Sequence, residues 1–287
     1  MHKFVNNYTT AAKADEYFIL HKKKGNLFLE QELNDWLNNQ MSKYLNPNSL
    51  ICDLGSGTGR FFEELKRYSR NIVGIEESDE MIEKCLSFNA ECRISSHSEK
   101  SIFSCINQGL IPILKGNVFE ILPQIKEEMS FDFIFASFIL PGIKEFRDFF
   151  EQIASVLKRG GKLLLTDNIF VSSNLYGLKR IEFKNINGHN ESISQGTCFR
   201  QVLHLNESSI GLQNFVHTLE QYKNIMGSVS NLQLRECMIF PPEGCLHVAS
   251  EYEHPDIHFP NLPEAETLLE PSREFKYVKL GMLMEKV

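Results

Sequence analysis

Five short apolar runs, each followed by a polar or amphipathic stretch, organise the middle of the chain at residues 50–54, 71–76, 110–114, 131–136 and 162–166. The runs are continuous rather than alternating, the reading expected of parallel strands buried on both faces. Between them, Phe61, Phe62 and Leu65, then Met81 and Ile82, then Phe146, Phe149, Phe150, Ile153, Val156 and Leu157 recur at helical spacing. Ser78 reads as an N-cap with Asp79 and Glu80 in the first turn, where negative charge is favoured. Gly160 and Gly161 close the long Phe-rich helix ahead of the fifth run. Strands alternating with helices predict an α/β fold built on a parallel sheet.

The flanks carry other periods. Leu27, Leu29, Leu33, Trp36, Leu37, Met41 and Leu45 form an amphipathic stripe that ends at Pro47 and predicts a helical cap over residues 1–48. Residues 87–109 are polar and predict helix and surface loop. Residues 180–205 alternate as strands do, with a hairpin turn signalled at Asn187-Gly188. Residues 218–226 predict a helix, and 232–240 and 277–284 predict two further strands. Six prolines between those last strands argue for an irregular connection.

The chemistry concentrates where the first run ends. Cys52-Asp53-Leu54 leads into Gly55-Ser56-Gly57-Thr58-Gly59-Arg60, a glycine turn between a strand and a helix. Glycine permits positive φ and close approach of a ligand to bare backbone, and the helix start after it is expected to offer unpaired N–H groups. The spacing is G-x-G-x-G. The dinucleotide fingerprint needs a small residue where Arg60 stands, so a nicotinamide cofactor is disfavoured. The second run ends in Glu76, an acid at a strand edge that is able to accept from the hydroxyls of a ribose; Glu77 is its neighbour and competitor.

This arrangement resembles the class I S-adenosylmethionine-dependent methyltransferases over residues 50–167, in order and spacing across five strands. The resemblance implies a Rossmann-like, seven-stranded, mostly parallel sheet with helices on both faces, its last strand antiparallel, with an N-terminal helical cap and an antiparallel β flap. It implies one methyltransferase domain over 1–287, divided into a cap (1–48), a cofactor-binding half (49–168), a substrate-side loop and flap (169–205) and the remainder of the sheet (206–287). The implied cofactor is S-adenosylmethionine, with S-adenosylhomocysteine as product, held by Asp53, Gly55, Ser56, Gly57, Gly59, Glu76 and Glu77. Asn117 stands where the family has an acid, and its amide oxygen is expected to accept from the adenine amino group, with Val118 against the base. Ser137 and Phe138, at the end of the fourth run, are expected to wall the pocket. Tyr8 or Tyr17 would close it from the cap, and Asn168, Phe170 and Tyr176 would line the acceptor side.

The implied reaction is in-line transfer of a methyl group to an oxygen, nitrogen or carbon nucleophile. His204, His217 and His247 are available as bases near neutral pH, but none is assigned a catalytic role. The Asp/Asn-Pro-Pro-aromatic motif of nucleic-acid amino methyltransferases is absent after the fourth run, and the net charge of −7 opposes a phosphate-rich partner. A small-molecule acceptor is therefore expected, with no nucleic acid. Methylation of protein or RNA, and a non-catalytic adaptor that keeps the cofactor fold, are the alternatives. The seven cysteines include no C-x-x-C pair, which argues against a disulfide framework or a zinc knuckle, and no metal is expected. There is no run of about eighteen apolar residues and no apolar leader, so a cytoplasmic location without membrane association is expected.

Overall fold

The computed structural model describes residues 31–144, 146–170, 181–184, 190–193, 198–204, 209–215, 222, 228, 229, 231–240 and 277–287. Helix α1 (Gln31–Tyr44) precedes β1 (Ile51–Leu54), α2 (Phe62–Leu65), β2 (Ile72–Glu76), α3 (Asp79–Phe88), β3 (Cys92–Ser95), α4 (Glu99–Asn107), β4 (Ile111–Lys115), α5 (Val118–Ile125) and β5 (Phe131–Ser137). A 3-10 turn (Leu140–Gly142), α6 (Phe146–Val156) and β6 (Leu157–Phe170) follow. After them come β7 (Ile181–Lys184), β8 (Asn190–Ile193), β9 (Cys198–His204), β10 (Ser209–Phe215), β11 (Leu232–Phe240) and β12 (Tyr277–Lys286).

The main sheet has eight strands in the order β11-β12-β6-β5-β1-β2-β4-β3, one more than expected. The extra strand is β3, inside the polar stretch read as helix and loop. It is a four-residue edge strand whose Cys92 and Ser95 are buried while Arg93 and Ile94 are exposed, too short to show a period. β12 is antiparallel to both β6 and β11, and the other pairings are parallel. The predicted flap is two ribbons, β7 with β8 and β9 with β10, and extends to Phe215. Strand β6 begins at Leu157, so Gly160 (φ +77°) lies inside a strand with a register shift and does not cap a helix.

Two apolar layers cover the sheet. On one face Ile102, Ile121, Leu122, Phe146, Phe149, Phe150 and Ile153 pack on Leu54, Val73, Ile134 and Leu165. The Phe149–Phe150 and Phe146–Phe150 rings meet edge to face at 5.5 and 6.1 Å, and each buried Phe contributes about 1.5–3 kcal/mol. On the other face Leu33, Trp36, Leu37, Phe61, Phe62 and Cys85 cover Ile51, Phe133 and Leu164. Here α1 docks on the antiparallel strands: the Trp36 ring lies where a Cβ on Gly281 would fall, 2.6 Å away. Trp36 Nε1 and Gln40 Nε2 both donate to the Glu236 carboxylate on β11.

The order β5-β1-β2 creates the functional crevice. The chain leaves β1 toward β2 and β4, then returns to place β5 on the other side of β1. In open α/β sheets the loops diverge at such a reversal and leave a cleft beyond the strands' carboxyl ends. Gly55, Glu76 and Phe138 all stand there.

Candidate functional site

The three alternate glycines of the turn all have positive φ, +66° at Gly55, +55° at Gly57 and +73° at Gly59, but they do different jobs. A Cβ on Gly59 would sit 2.6 Å from the Phe62 ring and 2.9 Å from Cys85 Sγ, so that glycine lets the turn lie on α2 and α3. A Cβ on Gly55 would meet Ile139 Cδ1 at 3.1 Å, at the exit of β5. Only at Gly57 are the nearest atoms at ordinary contact, Met81 Cε at 3.5 Å and Gly55 O at 3.9 Å. An added atom is therefore accommodated at Gly57, against Met81, while the protein's own side chains crowd that position at Gly55 and Gly59.

The turn's donors are also committed internally. Gly55 N and Ser56 N both donate to Ile75 O, at 2.9 and 3.1 Å, and Gly59 N donates to Ser56 O at 2.9 Å. The expected row of unpaired N–H groups is thus absent at these positions. The helix beyond is a single turn, α2, with three residues between Gly59 and Leu65 helical in addition to Leu65 itself, and β2's carbonyl takes the donors instead.

Glu76 joins the second strand to the turn. Its Oε2 accepts from Gly57 N at 2.8 Å, and its Oε1 accepts from Glu77 N at 3.0 Å and Ser78 N at 2.9 Å. Burial raises its pKa, opposed by these three N–H donors. A carboxylate offers about four acceptor sites, so the remaining one, on Oε2, suits one hydroxyl rather than two. Glu77 turns elsewhere: its Oε2 accepts from Asn117 Nδ2 at 3.2 Å, and burial raises its pKa more than that hydrogen bond lowers it. Asn117 is also the N-cap of α5, its Oδ1 accepting from Phe119 N at 2.9 Å. Both ends of its amide are thus engaged by the protein, and Val118 beside it is buried.

Asp53 and Ser56 each carry a buried polar atom that the protein does not satisfy; among the described residues Gln40 Oε1, on α1 and away from the turn, is the third. Asp53 Oδ2 and Ser56 Oγ are buried and have no hydrogen-bond partner. Burial pushes the Asp53 carboxyl up to about 8; Arg60 nearby lowers it and Glu76 raises it further. Groups of this kind are rare in native interiors and mark a place where a ligand or water completes the network. Gly74, opposite Asp53 on β2, belongs to this cluster: a Cβ there would lie 2.9 Å from Ser56 Oγ and 2.8 Å from Ile113 Cδ1. A glycine inside an apolar strand was the visible signal for that close approach.

At the end of β5, Ser137 Oγ accepts from Thr166 Oγ1 at 3.0 Å and from Arg60 Nη2 at 3.4 Å. The Arg60 guanidinium lies over the Phe61 ring at 4.3 Å and the Phe138 ring at 5.7 Å, linking the glycine turn to this strand end. Phe138 has φ +57°, and it is the one non-glycine among the described residues in that region. Such a backbone costs on the order of 1–3 kcal/mol and collects at functional sites. Two residues that the sequence did not single out meet on the opposite face of β6, where Tyr222 O–H donates to the fully buried Asp167 Oδ2 at 3.0 Å. The two are 55 positions apart and share no local pattern.

Tyr8, Tyr17, Tyr176, His217 and His247 lie outside the described residues, as do the side chains of Asn168, Phe170 and His204. Among the described residues no three His, Cys, Asp or Glu side chains converge as metal ligands, and no helix is long and apolar enough to cross a membrane.

Residues 52–165 match the family model described as a methyltransferase domain. A curated relative, the carboxy-S-adenosyl-L-methionine synthase of Pseudomonas aeruginosa, is 24% identical over 160 residues, which is 52% of this chain and 59% of that protein. The chain therefore spans less than two thirds of the relative it matches. Among solved structures, the CcbJ methyltransferase of Streptomyces caelestis is similar with a TM-score of 0.50 at 14% identity, over 86% of this chain and 87% of that one. A S-adenosylmethionine-dependent methyltransferase of Clostridium acetobutylicum is similar with a TM-score of 0.49 at 12% identity, over 95% and 98%. At 14% identity the likeness to the CcbJ enzyme speaks to the fold alone.

Proposed function

We propose that the protein is a class I S-adenosylmethionine-dependent methyltransferase, a reading supported by the match of residues 52–165 to a methyltransferase domain, and that it methylates a small, non-nucleic-acid metabolite in the cytoplasm. Bound S-adenosylmethionine supplies an electrophilic sulfonium methyl, already activated toward an oxygen, nitrogen or carbon nucleophile. The chain's own residues fit that ligand at the turn. Gly57 is the least crowded of the three glycines, and Glu76 Oε2 keeps an acceptor site for a ribose hydroxyl. Asp53 Oδ2, buried and partnerless, is stabilised as an anion by any cationic group brought beside it. Ser56 Oγ is the second buried atom left without a partner. That orphaned pair beside Gly57 is the observation that carries the reading.

The protein's contribution is positioning. Holding the two reacting groups in line is worth up to roughly 7–11 kcal/mol in favourable intramolecular cases. Ser137 and Phe138, which Arg60 joins to the glycine turn, are assigned to the wall of the cofactor or acceptor pocket, a reading supported by their meeting at the end of β5. The net charge of −7 and the missing Asp/Asn-Pro-Pro-aromatic motif support an acceptor without phosphates. The named product of the Pseudomonas relative is itself a small molecule, in keeping with this class. Free thiols at Cys52, Cys85, Cys92, Cys105 and Cys237 support a reducing compartment.

Calorimetric titration with S-adenosylhomocysteine tests the site. The wild-type protein binds, and Gly57→Val, which places a β-branched side chain at φ +55°, loses binding; retained affinity in that variant would count against the pocket. Incubation with methyl-labelled cofactor and fractionated extract tests the acceptor. Label in the low-molecular-weight fraction is expected, and label in protein or RNA overturns the acceptor class.

A further inference from the structure

Beneath the glycine turn lie two thiols that the proposed reaction does not use. Cys85 on α3 and Cys92 at the start of β3 are fully buried, and Cys85 Sγ donates to Cys92 Sγ at 3.6 Å. Cys85 is also what Gly59 rests on, since a Cβ on that glycine would be 2.9 Å from its sulfur. Asn89 ties the same helix end to the turn: its Nδ2 donates to Cys85 O at 3.0 Å and to Thr58 O at 3.1 Å. The sulfur pair and the residues 58–59 are thus one packed unit.

We propose that Cys85 and Cys92 form a reversible disulfide under peroxide, and that this bond lowers cofactor affinity by withdrawing the support under Gly59; the affinity part rests on the reading of the turn as a cofactor site. Cys92 is the attacking sulfur. It accepts the Cys85 hydrogen bond, which with the nearby Lys66 ammonium favours its thiolate against the opposing effect of burial. Lys66 is held at that end of the sheet by ion pairs to Glu63 and Glu91. Access comes through β3, an edge strand of four residues that pairs with β4 alone among the described strands and opens more readily than the sheet centre.

The chemistry balances with hydrogen peroxide as oxidant. The Cys92 thiolate attacks one peroxide oxygen, the O–O bond breaks, and hydroxide leaves as a sulfenic acid forms. The Cys85 sulfur then displaces the second oxygen, forming the S–S bond. The two thiol protons leave with the two oxygens as two waters, so the thiols lose two electrons and the peroxide gains them. The sulfurs must close from 3.6 Å to about 2.05 Å, which draws Cys85 toward β3 and away from Gly59.

The test treats the full-length protein with hydrogen peroxide, maps linked peptides by mass, and titrates S-adenosylhomocysteine before and after. A Cys85–Cys92 peptide two hydrogens lighter is expected, with affinity reduced about tenfold or more and restored by a thiol reductant. Cys92→Ala should bind normally and ignore peroxide, with Cys92→Ser in its place if alanine destabilises the edge. Hydrogen exchange at the amides of residues 57–59 reads the coupling without cofactor and should quicken in the linked form. No 85–92 linkage, or a linkage that changes neither affinity nor exchange, overturns the proposal. Reduced protein that fails to bind S-adenosylhomocysteine would instead sink the cofactor reading, leaving the linkage and exchange results to judge the thiol pair.

Discussion

Replacing Asp53 by asparagine should remove a specific pH dependence of stability. Asp53 is 2% exposed, and burial moves its carboxyl from an ordinary 3.8 to about 8. The folded state therefore holds a proton that the unfolded chain releases between these values, and stability falls as pH rises through that window. A span of about 4 pH units at about 1.4 kcal/mol per unit sets an upper scale on the order of 5 kcal/mol. Asparagine keeps the size of the neutral acid and cannot ionise. Urea unfolding of both proteins, from about pH 5 to about pH 8 and without ligand, should show the wild type losing stability relative to Asp53→Asn, with most of the divergence above about pH 6. Glu76, whose pKa is also raised by burial, titrates in both proteins and largely cancels in the difference. Parallel stability curves would refute the placement of Asp53 as a buried, unpaired acid.

Two further substitutions probe the same framework. Glu76→Gln puts an amide where a carboxylate accepts three N–H bonds, so at least one donor among Gly57, Glu77 and Ser78 loses an acceptor at about 1–3 kcal/mol; calorimetry should show S-adenosylhomocysteine affinity reduced roughly tenfold or more. Gly281→Ala drives a Cβ to 2.6 Å from the Trp36 ring, and overpacking of about 1–3 kcal/mol should appear as a lower Tm that Trp36→Leu partly recovers.

Most of the sheet was legible because its strands are covered on both faces. Such strands are apolar at nearly every position, so β1, β2, β4 and β5 stood out as near-continuous runs, interrupted inside by Asp53 and Asp132, whose ends located Gly55, Glu76 and Phe138. β3 gave no such sign, since an edge strand of four residues with Ile94 exposed has too few positions to define a face. The flap's alternation predicted its antiparallel character, while its division into two ribbons depends on which segments pair.

Within the site, residue identity and local order were enough to bring Asp53, the glycines and Glu76 to one end of the sheet, because a strand's sequence dictates where it stops and what stands there. Which groups are already spoken for was decided only in three dimensions. The three glycines look equivalent in sequence, yet Phe62, Cys85 and Ile139 crowd two of them and leave room at Gly57. Asn117 reads as an adenine ligand, and folding also gives each end of its amide one internal partner, Phe119 N at the oxygen and Glu77 at the nitrogen. Trp36 meets Glu236 across 200 positions, and Tyr222 meets Asp167 across 55. Periodicity records how one element faces the apolar interior; hydrogen bonding and close packing are relations between elements, and they exist only once the chain has folded.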